Sequence, residues 1–572
     1  MKKHFIRSYI WICILLSFVF ITSCSNENGK KGSAISGKVK QAVVNATMND
    51  PKTFNLVVSN EGSSTTVIAP LFEGLLRLNP KTLEPEPMLA ESWEMSEDGK
   101  EWTFHMRKGA KWSDGKPVTA DDVIFTFNVI FDPKVPTSTR DILTINGKPL
   151  KVKKVDDMTV KFILPSPFAP FLNSLMSADI IPEHILGKSL KEGRFADVWG
   201  IDTPPEEIIG AGPYIMTKYV PAQFIKYKRN PYYWMKDEEG KPLPYIAEET
   251  LLIVKDQNAL FVKFTAGQTD THSPRPEEVE TLKADAKRLD ITVKKRGLNT
   301  GTPFITFNRN PRHYIKNGRK DPKLKWFTDK YFLKAIAHAV DKKTIIINTM
   351  HGLGKPAVAQ ISEEVKRFHN PDLKDYEYDL RRAAELLKKG GYIKGSDGIL
   401  RDGDGNIVEF TLNTNAGNML REQICSILKE DWEKLGMKVN YRPLDFNSIV
   451  EKLMSNYQWD AILIALTGGP EPHNGANVYR SNGQLHFWNP KQEKPATLWE
   501  KEVDRLLEEG AAEMNINERV KKYHRIQEIF HEELPMILTV RQYLFSAYRN
   551  RLENYDPTIW GLYKPERIKI KQ

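Results

Sequence analysis

Cysteine is nearly missing from this chain: three of 572 residues, at positions 13, 24 and 425. A disulfide framework is thereby excluded as the source of stability, which must come from apolar cores. Long apolar runs are scarce as well. After Cys24 no stretch approaches the roughly 18 apolar residues of a membrane-crossing helix, so that part is expected to be soluble. Blocks of Lys and Arg interleaved with aromatics are absent, and the mildly basic balance is spread along the chain, which argues against nucleic acid as a partner.

Catalytic signatures are missing too. There is no G-x-S-x-G. The run His531-Glu532-Glu533-Leu534-Pro535 begins like a zinc-protease helix, but Pro535 stands where the second histidine belongs. Asp402 opens a stretch resembling a calcium loop, yet Ile407 occupies the position that needs glycine and Asn413 the position that needs glutamate. The twelve histidines are scattered without ligand spacing. Acidic residues are plentiful, but no pair is nominated for glycosidase-like chemistry. Binding without catalysis, metal or cofactor is the expectation.

What is present starts at the N-terminus. Lys2, Lys3 and Arg7 precede an apolar run at 10–21, followed by Thr22-Ser23-Cys24. That is the layout of an export signal, too short for a permanent span. Ile21-Thr22-Ser23-Cys24 resembles a bacterial lipobox, in which the cysteine takes a diacylglyceryl group and becomes the new terminus. Residues 1–23 are then a signal peptide, Cys24 a lipidation site, and 24–38, polar and rich in Gly, Ser, Asn and Lys, a tether. Two or three acyl chains would hold the protein on the outer side of a membrane, whether periplasmic or cell-surface. Losing 1–23 removes three positive charges and takes the formal net charge from +10 to +7. The remaining chain exceeds what one core usually supports, so two or three lobes are expected.

The pattern beyond residue 39 mixes strands and helices, predicting an α/β fold. Trp102, Phe104 and Met106 alternate with Thr103, His105 and Arg107 after the Asp98-Gly99 turn, which predicts a hairpin with 93–96. A second hairpin is predicted over 152–164, and a third around 402–406, flanked by Ile399-Leu400 and 408–412. Helices are predicted from Ala120, over 331–339, after an Asp341 cap, over 380–389, over 424–435 and over 518–533. Cys425 falls on an apolar helical face and reads as a buried, inert thiol.

Several runs together resemble the family 5 extracellular solute-binding proteins, the oligopeptide, dipeptide and nickel receptors of ABC importers. They are Leu71-Phe72-Glu73-Gly74-Leu75-Leu76, Leu89-Ala90-Glu91-Ser92-Trp93-Glu94, Trp112-Ser113-Asp114-Gly115, Val118-Thr119-Ala120-Asp121-Asp122-Val123, Gly210-Ala211-Gly212-Pro213-Tyr214, Asn230-Pro231-Tyr232-Tyr233-Trp234 and Trp459-Asp460-Ala461. The resemblance implies a bilobal type II periplasmic-binding-protein fold with an additional domain on the first lobe. Lobe I would comprise 39–65, 206–300 and 540–572, the extra domain 66–205, and lobe II 301–539. Crossovers between the lobes are expected near 303–308 and 539–543. Trp93, Trp102 and Trp112 read as packing.

The resemblance also implies ligand-binding residues at the cleft edges: Glu61, Ser63, Ser64 and Thr65 on one side, Asn308 near a crossover, and Thr467, Gly468, Gly469, Glu471 and His473 on the other. Peptide receptors usually carry an aspartate in this second loop, pairing with the ligand's amino terminus. Here Gly469 stands at that place, and Glu471 is the nearest anion. The implied function is capture of a peptide-like solute by a monomer for delivery to an ABC permease. A sensing receptor of the same fold, a nickel-complex or oligosaccharide binder, and more remotely a secreted hydrolase are the alternatives.

Overall fold

The computed structural model describes residues 42–59, 61–316 and 319–571. The signal peptide, Cys24 and the tether lie outside them. Four sheets of three or more strands organise the described residues. The first runs in the order Ala42–Thr47, Glu248–Ile253, Phe224–Arg229, Tyr214–Val220, with its first pair parallel and the rest antiparallel. The second is an antiparallel sheet of Ala90–Met95, Glu101–Met106, Thr159–Ile163 and Lys151–Asp156. A mixed five-stranded sheet runs Lys438–Leu444, Glu409–Asn415, Ala461–Leu466, Thr302–Phe307, Ile537–Leu538. The last joins Thr271–His272, Val540–Arg549 and Ile291–Leu298, and Gly354–Pro356 adds to Val540–Arg549.

Two short crossings link the fourth sheet's long strands to the five-stranded sheet, one from Ile291–Leu298 into Thr302–Phe307 and one from Ile537–Leu538 back into Val540–Arg549. The first crossing is at 299–301, earlier than the expected 303–308, because Thr302–Phe307 is already paired along its length with Ala461–Leu466. Six successive buried residues there belong inside a sheet, not in a linker. The second is at Thr539, at the near end of the expected segment. The second crossing is bonded to the strand that follows the first: the Thr539 N–H and hydroxyl donate to the Pro303 carbonyl at 3.0 and 2.7 Å.

Most predicted elements form as the pattern required. Ala90–Met95 pairs with Glu101–Met106 around Gly99, whose φ of +67° suits a residue without Cβ. Trp112 is fully buried and its indole N–H donates to Asp122 at 3.2 Å, while Asp122 also accepts from the Thr119 N–H and caps Ala120–Phe131. The third hairpin forms at its turn: Asp402 accepts from the N–H groups of Asp404 and Asn406 and donates its own N–H to the Asn406 carbonyl, Arg401 bridges Ile407, and the Val408 N–H donates to the Leu400 carbonyl at 2.9 Å. The correction lies beyond Val408, where Glu409–Asn415 pairs with Lys438–Leu444 and buries its apolar face in the five-stranded sheet.

Gly210 and Gly212 have a packing reason. A Cβ on Gly210 would lie 1.9 Å from the Leu71 carbonyl oxygen, and one on Gly212 would lie 2.6 Å from the Leu71 carbonyl carbon. Only bare backbone can pass so close to 71–72. Cys425 is fully buried, and burial pushes its thiol well above the ordinary range.

Candidate functional site

The end of Ala461–Leu466 shapes a cavity at the first crossing. This strand is buried through Ile464, then pairs Leu466 with Thr302 as its last rung. Gly468, Gly469 and Pro470 follow, and Pro470 lacks the N–H needed to continue a ladder. The turn folds back on the crossing, with the Thr300 hydroxyl donating to the Gly468 carbonyl at 2.9 Å. A Cβ at Gly468 would sit 2.7 Å from the Thr300 carbonyl oxygen, so glycine is required for this approach. Gly469 is different: its nearest neighbour would be the Asn474 amide at 3.4 Å, which leaves room.

The space enclosed is about 220 Å³ and is lined by Thr300, Thr302, Gln360, Ser362, Thr467, Gly468, Gly469 and Glu471 among others. Thr467, Gly468, Gly469 and Glu471 thus share one cavity wall. Glu471 is 3 % exposed, and both its oxygens face Arg519, at 3.0 and 2.5 Å. Its Oε1 also accepts the His473 N–H at 2.9 Å, and the Arg519 Nε donates to the Gly510 carbonyl at 2.9 Å. Burial opposes the Arg519 charge, but the Glu471 carboxylate outweighs it and holds the guanidinium above its usual value. This bidentate pair pins the loop to the helix Ile516–Glu533.

His473 lies on the other side of the loop, on a cavity of about 330 Å³ shared with residues 141–147, 166–168 and 508–512. Its Nδ1 is 3.1 Å from the Tyr523 hydroxyl, and its ring packs edge-on against Phe168 at 5.4 Å. Burial, with Arg519 and Arg480 nearby, pushes its pKa down to about 3, so the imidazole is neutral in ordinary buffers. The Ala169 N–H donates to the Ala511 carbonyl at 2.7 Å in the same region.

The first expected edge behaves differently. Glu61 precedes the short helix Gly62–Ile68, which holds Ser63, Ser64 and Thr65, and none of the four lines either cavity. Ser64 is a correction: it is fully buried, hydrogen-bonds the Glu61 carboxylate, and accepts from the Lys52 N–H at 2.9 Å. Thr65 donates to the Glu61 carbonyl at 3.1 Å. These groups shape a turn. Asn308 is a second correction. It is fully buried, its amide donating to the Tyr457 and Trp459 carbonyls at 2.9 Å each and its oxygen accepting from the Asn310 N–H at 3.0 Å. Replacing Asn308 with alanine should cost about 2 kcal/mol in urea unfolding, the range for unsatisfied buried groups, and leave solute binding unchanged. A binding loss with unaltered stability would return it to the site.

Thr300, Thr302, Gln360 and Arg519 were not singled out from the sequence. One signal for Arg519 was available: it shares a helical stripe with Tyr523, Ile526 and Phe530, where an arginine demands a buried partner. Among the described residues no group of three or more His, Cys, Asp or Glu is arranged to hold a metal ion.

Sheets joined by two neighbouring crossings, with a cavity beside the first, are the frame of a two-lobed receptor for a small solute. The chain belongs to the bacterial extracellular solute-binding proteins, family 5 Middle, whose pattern matches residues 84–486. It is an extracytoplasmic transport receptor and not an enzyme. A probable ABC transporter-binding protein of Deinococcus radiodurans is 31% identical over 94% of this chain and 92% of its own length. The heme-binding protein A of Haemophilus influenzae is 27% identical over 95% of each. The solved structure of the oligopeptide-binding protein AppA from Bacillus subtilis with a nonapeptide superposes with a TM-score of 0.72. It is 25% identical and covers 93% of this chain and 99% of that one.

Proposed function

We propose that this protein captures a peptide-like solute in the cavity under Thr467, Gly468 and Gly469 and delivers it to an ABC permease, held at the membrane by lipid on Cys24. In this reading lobe I is 39–65, 206–300 and 540–572, lobe II is 301–539, and the extra domain is 66–205. The observation that carries the reading is the position of the cavity. It lies beside the crossing at 299–301, lined by lobe II together with Thr300 of the crossing itself, so a solute there bears directly on the hinge. The Bacillus relative's nonapeptide supports a peptide-like occupant. Serving as a sensor for the same solute would use the same cavity.

Two measurements test this. Small-angle X-ray scattering should show contraction when a mixed short-peptide pool is added, with no turnover of the pool. Leucine in place of Gly469 has room at its Cβ and should fill the cavity. It should keep the melting temperature within about 2 °C and weaken solute retention at least about tenfold, or 1.4 kcal/mol. Full retention by Gly469→Leu would move the site elsewhere.

A further inference from the structure

A second compartment adjoins the one beneath the 467–469 turn. The cavity of about 330 Å³ beside His473 is walled by 141–147 and 166–168 on one side and by residues within 473–484 and 508–512 on the other. Asn474 and Asn477 line both cavities, and both are exposed. A solute seated under the turn and long enough to pass these two residues therefore enters the second space. With His473 neutral, the charged residues lining that space are Arg480, Asp141 and Glu508.

Arg480 is unlike its neighbours among the packed arginines. Arg309 donates to the Glu533 and Leu534 carbonyls at 3.3 and 2.6 Å, Arg519 grips Glu471, and Arg541 donates to the carbonyls of Ala359 and Gln360 at 2.5 and 3.1 Å. The half-buried Arg480 side chain makes no hydrogen bond or ion pair among the described residues. Its Nε is sealed from solvent, which roots the side chain in the protein, whereas Nη1 and Nη2 are unsealed and unbonded. Those two groups are what a solute can reach, and they form the two-pronged edge that matches the paired oxygens of a carboxylate. Asp141 and Glu508 do not neutralise this charge: both are exposed and screened by water, and neither pairs with Arg480. A guanidinium held partly out of water without a counter-charge favours an anion that arrives with the solute.

We propose that Arg480 receives a carboxylate of the solute in this second cavity while the rest of the solute lies under the 467–469 turn. This rests on the reading of the first cavity as the solute site. It makes Arg480 a specificity-determining residue and names the occupant as a peptide-like acid that extends past Asn474 and Asn477. The carboxylate is that of a free chain end or of an acidic side chain.

The test compares three pools of short peptides on the full-length receptor by native mass spectrometry: free-acid peptides without Asp or Glu, the same peptides C-amidated, and amidated peptides carrying one glutamate. Either the free-acid or the glutamate pool should be retained at least about tenfold better than the plain amidated pool, which separates the two sources of the carboxylate. That advantage should shrink between about 0.05 and 0.5 M salt. Arg480→Gln should remove the advantage, and Arg480→Lys should keep part of it. Equal retention of all three pools, or preference for the plain amidated one, would overturn the inference while leaving the first cavity as the site, provided that Gly469→Leu abolishes retention. An Arg480→Gln receptor that keeps the full advantage, or that weakens every pool alike, would overturn it too. Retention of any pool that is insensitive to Gly469→Leu, or retention of none, would overturn the cavity reading and the inference with it.

Discussion

Replacing Arg519 with leucine is expected to destabilise the protein by about 3–5 kcal/mol, because it leaves the buried Glu471 carboxyl without its partner. The same change frees the loop from its anchor at Gly510 and Ile516–Glu533. Removing both partners has a different consequence. In Arg519→Leu combined with Glu471→Leu the two desolvation penalties disappear together, and apolar contact with Phe368 and Tyr523, which flank the guanidinium at 5.2 and 5.3 Å, takes over. The double variant should recover most of the lost stability in urea unfolding, to within about 1 kcal/mol of the parent. Equal losses in the single and double variants would mean that packing of the arginine stem, and not charge pairing, holds the loop.

Stability should also fall as pH rises from about 5 to about 8.5. Glu73 is buried, accepting from the Tyr233 hydroxyl at 2.5 Å and the Trp234 indole at 2.8 Å, and burial pushes it up to about 7 despite these bonds. Burial likewise raises Glu249 to about 7 and Asp179 to about 6. Each group in the folded chain keeps its proton at a pH where its unfolded counterpart has lost it. The stabilisation is therefore fully present below the unfolded values near 4.5 and 3.8 and disappears as pH passes the folded values. A rise to about 7 corresponds to about 3 kcal/mol for each glutamate. Glu500 acts in the opposite window. Burial disfavours its charge, but His486, Gln492 and Thr497 outweigh that and bring it down to about 2, so its contribution holds above 4.5 and is lost as pH falls toward 2. The optimum is expected near pH 5. Glu73→Gln should flatten the alkaline side by about 3 kcal/mol between pH 5 and pH 8.5 in paired urea titrations. Parallel pH curves for parent and variant would show that Glu73 ionises freely where it sits.

Elements with local causes were legible in the sequence. The Asp98-Gly99 hairpin, the helix capped at Thr119 and the helix Leu380–Lys389 follow from alternation, capping and glycine stops within a few residues. The Gly468-Gly469-Pro470 turn was equally legible, since a strand that ends in those residues leaves backbone open. Features set by partners distant in sequence were not. Asn308 resembled a crossover ligand because nothing nearby shows that its amide bonds to residues 457 and 459. Ser64 looked exposed in a run of small polar residues, yet the chain at 52–53 covers it. Glu471 read as a free anion until Arg519, 48 positions later, supplied its partner. The apolar positions around 408–412 predicted a hairpin strand; Val408 keeps its bond to Leu400, and from Glu409 onward the parallel partner at Lys438–Leu444 prevails by burying that face.

Native mass spectrometry of the receptor purified from its own host tests the central claim most directly. The account predicts a noncovalent solute of one chemical class, released intact on mild activation and absent from Gly469→Leu. A receptor that is always empty and takes up no solute, or one that converts its solute to a new mass, would contradict it.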